Sequence, residues 1–333
     1  MSFIVRRLAR SALLLFGVSI LCFLFTEMAP GSFFDEMRLN PQISPETIAN
    51  LRTHYGLDQP LVVRYERWLK SALRGDLGIS IAYNSPVTPL LWSRAKNTLL
   101  LTTTALLLTW IISVPLGVWA ASRRGGLLDR LITLASAFLI SVPELVLAVA
   151  LLAVAVRWGI LRTGGMISAD FESLSMWAKL QDVISHLVLP VCILVLAETA
   201  VIVRHVRASV LETLQSPYVQ AARGFGISRT RLLFRHVLPV AANPAISLLG
   251  FSLAGLLSGS LMVEVVCGWP GLGPLILEAT LSRDLYLVIG GIMLSALFMV
   301  MGNLVADMLL SALDPRIRGN EDKAEAEQGL HAA

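Results

Sequence analysis

Mostly apolar positions, neither alternating nor confined to one stripe, fill six stretches of this chain: 9–29, 97–121, 132–156, 184–203, 243–265 and 286–309. Crossing the hydrocarbon core of a bilayer takes roughly 20 mostly apolar residues in a helix. A helix apolar on every side is buried in lipid or in protein. Each stretch ends in charged or turn-forming residues, so the pattern predicts an all-α membrane protein with six transmembrane helices. The balance of 55% hydrophobic and 15% charged residues agrees, because soluble domains carry about 25% charged residues.

The first stretch follows Arg6, Arg7 and Arg10 as a secretory signal would. Its end, Glu27-Met28-Ala29-Pro30, offers no small-x-small cleavage site, so it reads as an uncleaved anchor. Short loops rich in Lys and Arg resist translocation. Arg6, Arg7 and Arg10, then Arg123, Arg124 and Arg130, then six arginines between 204 and 235 against one acid, Glu212, all fall on one side. That side is the cytoplasm, and both termini belong to it.

Residues 1–29 then form a cytoplasmic end and the first span, 30–96 an extracytoplasmic region, 97–309 a five-helix core, and 310–333 a cytoplasmic tail. The end of that tail, Asn320 to Ala333, has a disordered composition. Within 30–96, Pro45-Glu46 followed by Ile48, Leu51, Tyr55 and Leu57 predicts a short amphipathic helix. A second is predicted over Pro60 to Leu73, with Tyr65 and Trp68 suited to the headgroup interface. Pro115, Pro143 and Pro190 fall inside or at the start of spans, where each removes a backbone donor and favours a kink.

The loop 204–240 departs from this oily background. Ser216 is placed to cap a helix opening at Pro217 and ending at Gly226. On it Tyr218, Ala221, Ala222 and Phe225 share one face, and the two methyl side chains permit close approach by another surface. Ser228 is placed to cap a second helix that Pro239 halts, with Leu232, Leu233 and Val237 against the protein and Arg229, Arg231 and Arg235 facing outward. A short projecting helix with a small-residue face suits a groove on a soluble partner. On composition alone, a solvated basic loop fits better.

The pattern decides between them. Gln220-Ala221-Ala222, Gly226 and Leu238-Pro239 resemble the E-A-A, x3, G, x9, I, x, L-P signature of bacterial ABC importer permeases, with Gln220 in place of the usual Glu and His236 in place of the common Ile. The stretches 56–61, 75–80, 268–273, Arg283-Asp284 and 313–318 look like the dipeptide, oligopeptide and nickel permease family, and the likeness runs from residue 4 to about 318. The resemblance implies the type I ABC importer permease fold and a place in a bacterial inner membrane. It implies four kinds of partner: a second homologous permease subunit, two cytoplasmic ABC ATPases, an extracytoplasmic solute-binding protein, and the lipid bilayer. The coupling contact it implies comprises Tyr218, Gln220, Ala221, Ala222, Phe225 and Gly226. Nothing in the pattern points to a nucleic acid.

No G-x-x-x-x-G-K-[ST] cradle occurs, and neither does the dipeptide Gly-Lys. ATP and magnesium are therefore expected on partner subunits, with no cofactor, metal or catalytic residue on this chain. Cys22, Cys192 and Cys267 have no paired spacing. Acids inside spans are costly and face a bundle or a watery cavity. Glu144 and Glu198 are accordingly candidates for the substrate pathway, where an acid meets a peptide's amino end or a cation. For Glu144 the alternative is proximity to the outer headgroups. Glu198 and Asp307 have the alternative of pairing with Arg204 and Arg207, or with Arg316. Trp269, among the glycines and prolines of 267–274, is expected at the outer surface, and the resemblance makes it and Gly271 contacts for the binding protein. Di- and oligopeptides are the expected cargo. Nickel chelates or another small solute fit the same architecture, and a stand-alone ion-coupled carrier is the reading from a different class.

Overall fold

A computed structural model describes residues 3–28, 44–54, 56 and 58–313. The stretch 314–318 and the tail lie outside the described residues, as do Tyr55 and Leu57. Lipid offers the backbone no hydrogen bonds, so a spanning segment satisfies its own groups as a helix. Among the described residues five single helices are long and apolar enough to cross a bilayer, and a bent pair, taken as one span, brings them to six.

In chain order the helices are α1 (Phe3–Met28), α2 (Pro45–His54), α3 (Leu61–Ala72), α4 (Val87–Ser122), α5 (Leu127–Ser141) and α6 (Glu144–Trp158). They continue with α7 (Met176–Leu214), α8 (Pro217–Gly224), α9 (Arg229–Leu232), α10 (Leu238–Cys267), α11 (Leu272–Leu281) and α12 (Leu285–Leu313). Two compact units result, Met1–Leu99 with Trp269–Phe298 and Leu100–Gly268 with Met299–Ala333.

In the first unit α3 packs against α1. Phe23 lies edge-on to Tyr65, with ring centroids 5.2 Å apart, and 5.1 Å from Trp68. Trp68 is buried and donates its indole N–H to the Leu77 carbonyl at 3.2 Å. Arg64 pairs with Glu27. Tyr65 and Trp68, expected at the headgroups, therefore serve helix packing: their rings fill a pocket with Phe23 and Ile289. Two-residue strands β1 (Ile79–Ser80) and β2 (Ser85–Pro86) pair antiparallel, Ile79 opposite Pro86 and Ser80 opposite Ser85. On α12 a Cβ at Gly290 would lie 2.8 Å from Val87 Cγ1, and one at Gly291 2.7 Å from Ile276 Cγ1, so the glycine pair lets α4 and α11 approach closely.

In the second unit α7 is the hub, packed on α5, α6 and α10. Gly117 of α4 meets it so closely that a Cβ there would stand 2.8 Å from Val206 Cβ and 3.0 Å from the Val203 carbonyl. Ser209 donates to the Ala241 carbonyl at 3.0 Å, joining α7 to α10. The expected single span over 132–156 is instead the pair α5 and α6, bent by 102°. Val142, preceding Pro143, is extended (φ −91°, ψ 121°), and Pro143 follows at φ −56°, ψ 138°. Proline disfavours the helical region for the residue before it, and here the helix ends there. Pro115 and Pro190 lie within helices that continue through them.

Candidate functional site

The helix α8 is anchored by one side chain. Val219 is fully buried (0% exposed) in a cluster with Val206 and Val210 of α7, Leu232 of α9, and Val237. Around that anchor Tyr218, Gln220 and Ala221 are exposed, and Phe225 is 88% exposed. Ala222, expected on the free face, is half-buried against the same cluster, because α8 lies low enough for its inner flank to take up two residues rather than one. Gly226 closes the turn at φ 78°, a left-handed conformation in which a side chain is strained, and it has open space where a Cβ would go.

The capping residues act otherwise than expected. Ser216 and Ser228 occupy N-cap positions, yet neither side chain caps its helix, and Ser216 Oγ donates to the Thr213 carbonyl at 2.6 Å. Gln220 turns back to donate to the Gln215 carbonyl at 3.1 Å. Tyr218 Oη donates to the His236 carbonyl at 3.2 Å, tying α8 to the segment just before α10. Nor does Pro239 halt a helix. The chain passes from α9 through one π turn, Leu233–Val237, directly into α10, where Pro239 sits in the first turn and its missing N–H costs little. Leu232 and Val237 face inward and Arg229, Arg231 and Arg235 outward.

A second arrangement lies along α10. A Cβ at Gly255 would stand 2.5 Å from Glu198 Oε1, and one at Gly259 would stand 2.5 Å from Glu144 Oε1. The two glycines are one turn apart on one face, so α6 and α7 each lay a carboxylate against α10 where it has no side chains. At Gly250 the neighbour is Asn303 Oδ1, 2.7 Å from a Cβ placed there. Two acids expected to avoid lipid, and Asn303 beside them, thus rest on three glycines of one helix. Arg207, considered as a partner of Glu198, instead makes a bidentate pair with Asp129 of α5, Nε to Oδ1 at 2.6 Å and Nη2 to Oδ2 at 2.9 Å. Arg316, considered for Asp307, lies outside the described residues.

Trp269 is not at the surface. It is fully buried (0% exposed), its indole N–H donates to the Asn97 carbonyl at 3.1 Å, and Asn97 Nδ2 donates to the Pro270 carbonyl at 2.8 Å. Gly271 is buried too. The turn closes on α4 rather than presenting an aromatic, since a buried indole needs an acceptor and Asn97 supplies one.

Comparison with known proteins decides what this arrangement belongs to. The family model for the inner membrane component of binding-protein-dependent transport systems matches residues 113–319, and the model for the N-terminal part of such components matches residues 1–102. The chain belongs to this family of ABC importer permeases. The oligopeptide transport system permease protein AppB of Bacillus subtilis is 35% identical over 318 residues, 95% of this chain and 99% of that protein. The dipeptide transport system permease protein DppB of Escherichia coli K12 is 32% identical over 335 residues, with 96% and 99% covered. A solved structure of the MetNI methionine ABC transporter in inward-facing conformations superposes with a TM-score of 0.51. It is 20% identical and covers 68% of this permease and 96% of that chain, which establishes a shared fold. The permease is a multi-pass membrane protein and a translocation subunit, and its family works with an ATPase and a binding protein.

Proposed function

We propose that this permease imports di- and oligopeptides across a bacterial inner membrane, as one of two homologous membrane subunits served by two cytoplasmic ATPases and an extracytoplasmic binding protein. Both termini and the loop 204–240 are cytoplasmic, and ATP with magnesium binds to the ATPases alone. The names of the relatives support the cargo, and the arginine distribution supports the orientation.

The observation that carries the mechanism is Phe225, almost fully exposed on a helix held rigid through Val219. A large apolar side chain left in water on an anchored stud suits an apolar pocket in a partner. Tyr218, Gln220, Ala221, Ala222 and Gly226 complete the contact, with Tyr218 bracing it through His236. When ATP closes the two ATPases, the stud moves as a rigid body and its motion passes through the Val219 cluster to α7 and α10. A partner shifts the permease between inward- and outward-open states by its differential affinity for the two. Glu144 and Glu198 line the pathway and receive the amino end of the cargo.

An Ala221→Cys permease co-expressed with its ATPase is expected to give a crosslinked adduct in inverted vesicles, and Phe225→Ala to lower ATP-dependent peptide uptake at least tenfold while leaving membrane insertion unchanged. No adduct with the ATPase, or full uptake by Phe225→Ala, refutes the coupling role. The paired carboxylates also suit a cationic cargo such as a nickel chelate. Uptake of radiolabelled nickel but not of a labelled tripeptide by the assembled transporter decides for that alternative.

A further inference from the structure

The end of α4, the end of α7 and the loop beyond α7 enclose a cleft of about 1380 Å³ within the second unit. Its α4 wall extends from Val114 to Ser122, eight helical steps and so about 12 Å along the helix axis. That wall is apolar through Val114, Val118 and Trp119, and Phe234 of the π turn also lines the cleft. Arg123, Arg124, Arg223 and Arg229 line it as well, and no carboxylate among the described residues does. Arg123 is stacked over the Trp119 ring, 5.6 Å from its centroid. Asp129, which Arg124 senses, is committed to Arg207 by two hydrogen bonds and is not part of the lining. Ser122 also lines the cleft, and its Oγ is buried with no hydrogen-bond partner among the described residues.

An occupant must satisfy four guanidinium groups and an apolar wall about two helical pitches in length. A soluble protein segment answers the charge but not the depth, and another apolar helix answers the depth but not the charge. We infer that the cleft holds an anionic phospholipid, its phosphate on Arg123, Arg124 and Arg229 and its acyl chains along Val114, Val118 and Phe234. Tryptophan at the level of the headgroups and basic residues beneath them suit that ligand. The lipid joins α4 to the coupling loop, so the anionic lipid content of the leaflet bears on how motion of α8 reaches the spans. This rests on the loop being cytoplasmic only for the choice of leaflet, and binding in detergent is independent of sidedness.

The test uses the purified full chain in mixed micelles at physiological salt. Dibrominated phosphatidylglycerol is expected to quench a fluorescence component that Trp119→Phe lacks, and dibrominated phosphatidylcholine to need about tenfold more lipid for the same effect. Arg123→Gln/Arg229→Gln is expected to weaken the phosphatidylglycerol effect about 25-fold, at roughly fivefold per arginine. The pair Arg157→Gln/Arg204→Gln, neither of which lines the cleft, is expected to leave it unchanged. Circular dichroism and gel filtration verify folding of each variant. Equal quenching by the two lipids, an unchanged response in Arg123→Gln/Arg229→Gln, or an equal loss in Arg157→Gln/Arg204→Gln overturns the inference. Displacement by millimolar glycerol phosphate alone also overturns it, in favour of a free-anion site. Uptake defects in Phe225→Ala leave all of these readouts untouched, so failure here is distinct from failure of the coupling role.

Discussion

Ser80 Oγ donates a hydrogen bond of 2.6 Å to Asp284 Oδ2 across 204 positions of sequence, and both residues are fully buried. The same carboxylate oxygen accepts from the Ala82 N–H at 3.0 Å, and Oδ1 faces the Leu287 N–H at 3.3 Å, at the start of α12. One buried carboxylate thus fixes a loop and a helix end together. Three donors lose their acceptor if it is removed, and an unmet buried donor costs about 1–3 kcal/mol. Asp284→Ala is expected to destabilise the permease by about 3–5 kcal/mol and Ser80→Ala by about 1–2 kcal/mol. A double-mutant cycle on unfolding in detergent should give a coupling of at least about 1 kcal/mol. Additive effects would show that the bond carries no energy.

Tyr83 Oη donates to Glu278 Oε2 at 2.5 Å in the same unit. Partial burial, with the hydrogen bond to Glu278 and its negative charge, pushes the phenol up to about 12 from the ordinary value near 10. The folded value is raised, so the stabilisation is fully present below pH 10 and is lost as pH climbs from about 10 to about 12. Absorbance titration at 295 nm should resolve a late component that vanishes in Tyr83→Phe and moves toward pH 10 in Glu278→Gln. An unmoved curve in Glu278→Gln would exclude the bond.

Local signals were legible and distant ones were not. Mostly apolar runs located the spans, Pro217 marked the start of α8 and Gly226 the turn after it, because helix starts and turns are short-range chemistry. Proline inside a span reads the same whether the helix passes through it, as at Pro115 and Pro190, or breaks, as at Pro143. Trp269 was misplaced because an indole suits an interface and a buried acceptor equally, and only the fold brings Asn97 to it. The glycines of α10 attracted no attention in sequence. Their role exists only against Glu144, Glu198 and Asn303 on other helices.

Asp129 was likewise invisible as a partner for Arg207, 78 positions away. Asp129 is buried and its bond to Arg207 is bidentate, so breaking it leaves a charge without compensation, at about 3–5 kcal/mol. Asp129→Ala is expected to lower the unfolding midpoint sharply. Arg207→Lys should recover less than half of the stability lost in Arg207→Ala, because an ammonium cannot reproduce the planar fork. Full recovery by lysine would reduce the pair to simple charge attraction.

The glycines separate packing from transport. At Gly117 an added methyl meets Val206 Cβ and the Val203 carbonyl, neither of which can yield without moving α7. Gly117→Ala is therefore expected to destabilise by about 1–3 kcal/mol, as overpacking does. At Gly255 and Gly259 the methyl meets the free ends of Glu198 and Glu144, which swing aside by rotation about their own bonds. Gly255→Ala and Gly259→Ala are expected to leave the unfolding midpoint nearly unchanged while displacing the carboxylates. If the carboxylates hold the cargo's amino end, peptide uptake falls several-fold in both variants, and Glu198→Gln reproduces the defect with the glycines intact. A loss of stability matching that of Gly117→Ala would mean that these glycines serve helix packing. Normal uptake in all three pathway variants would remove Glu144 and Glu198 from the route of the cargo.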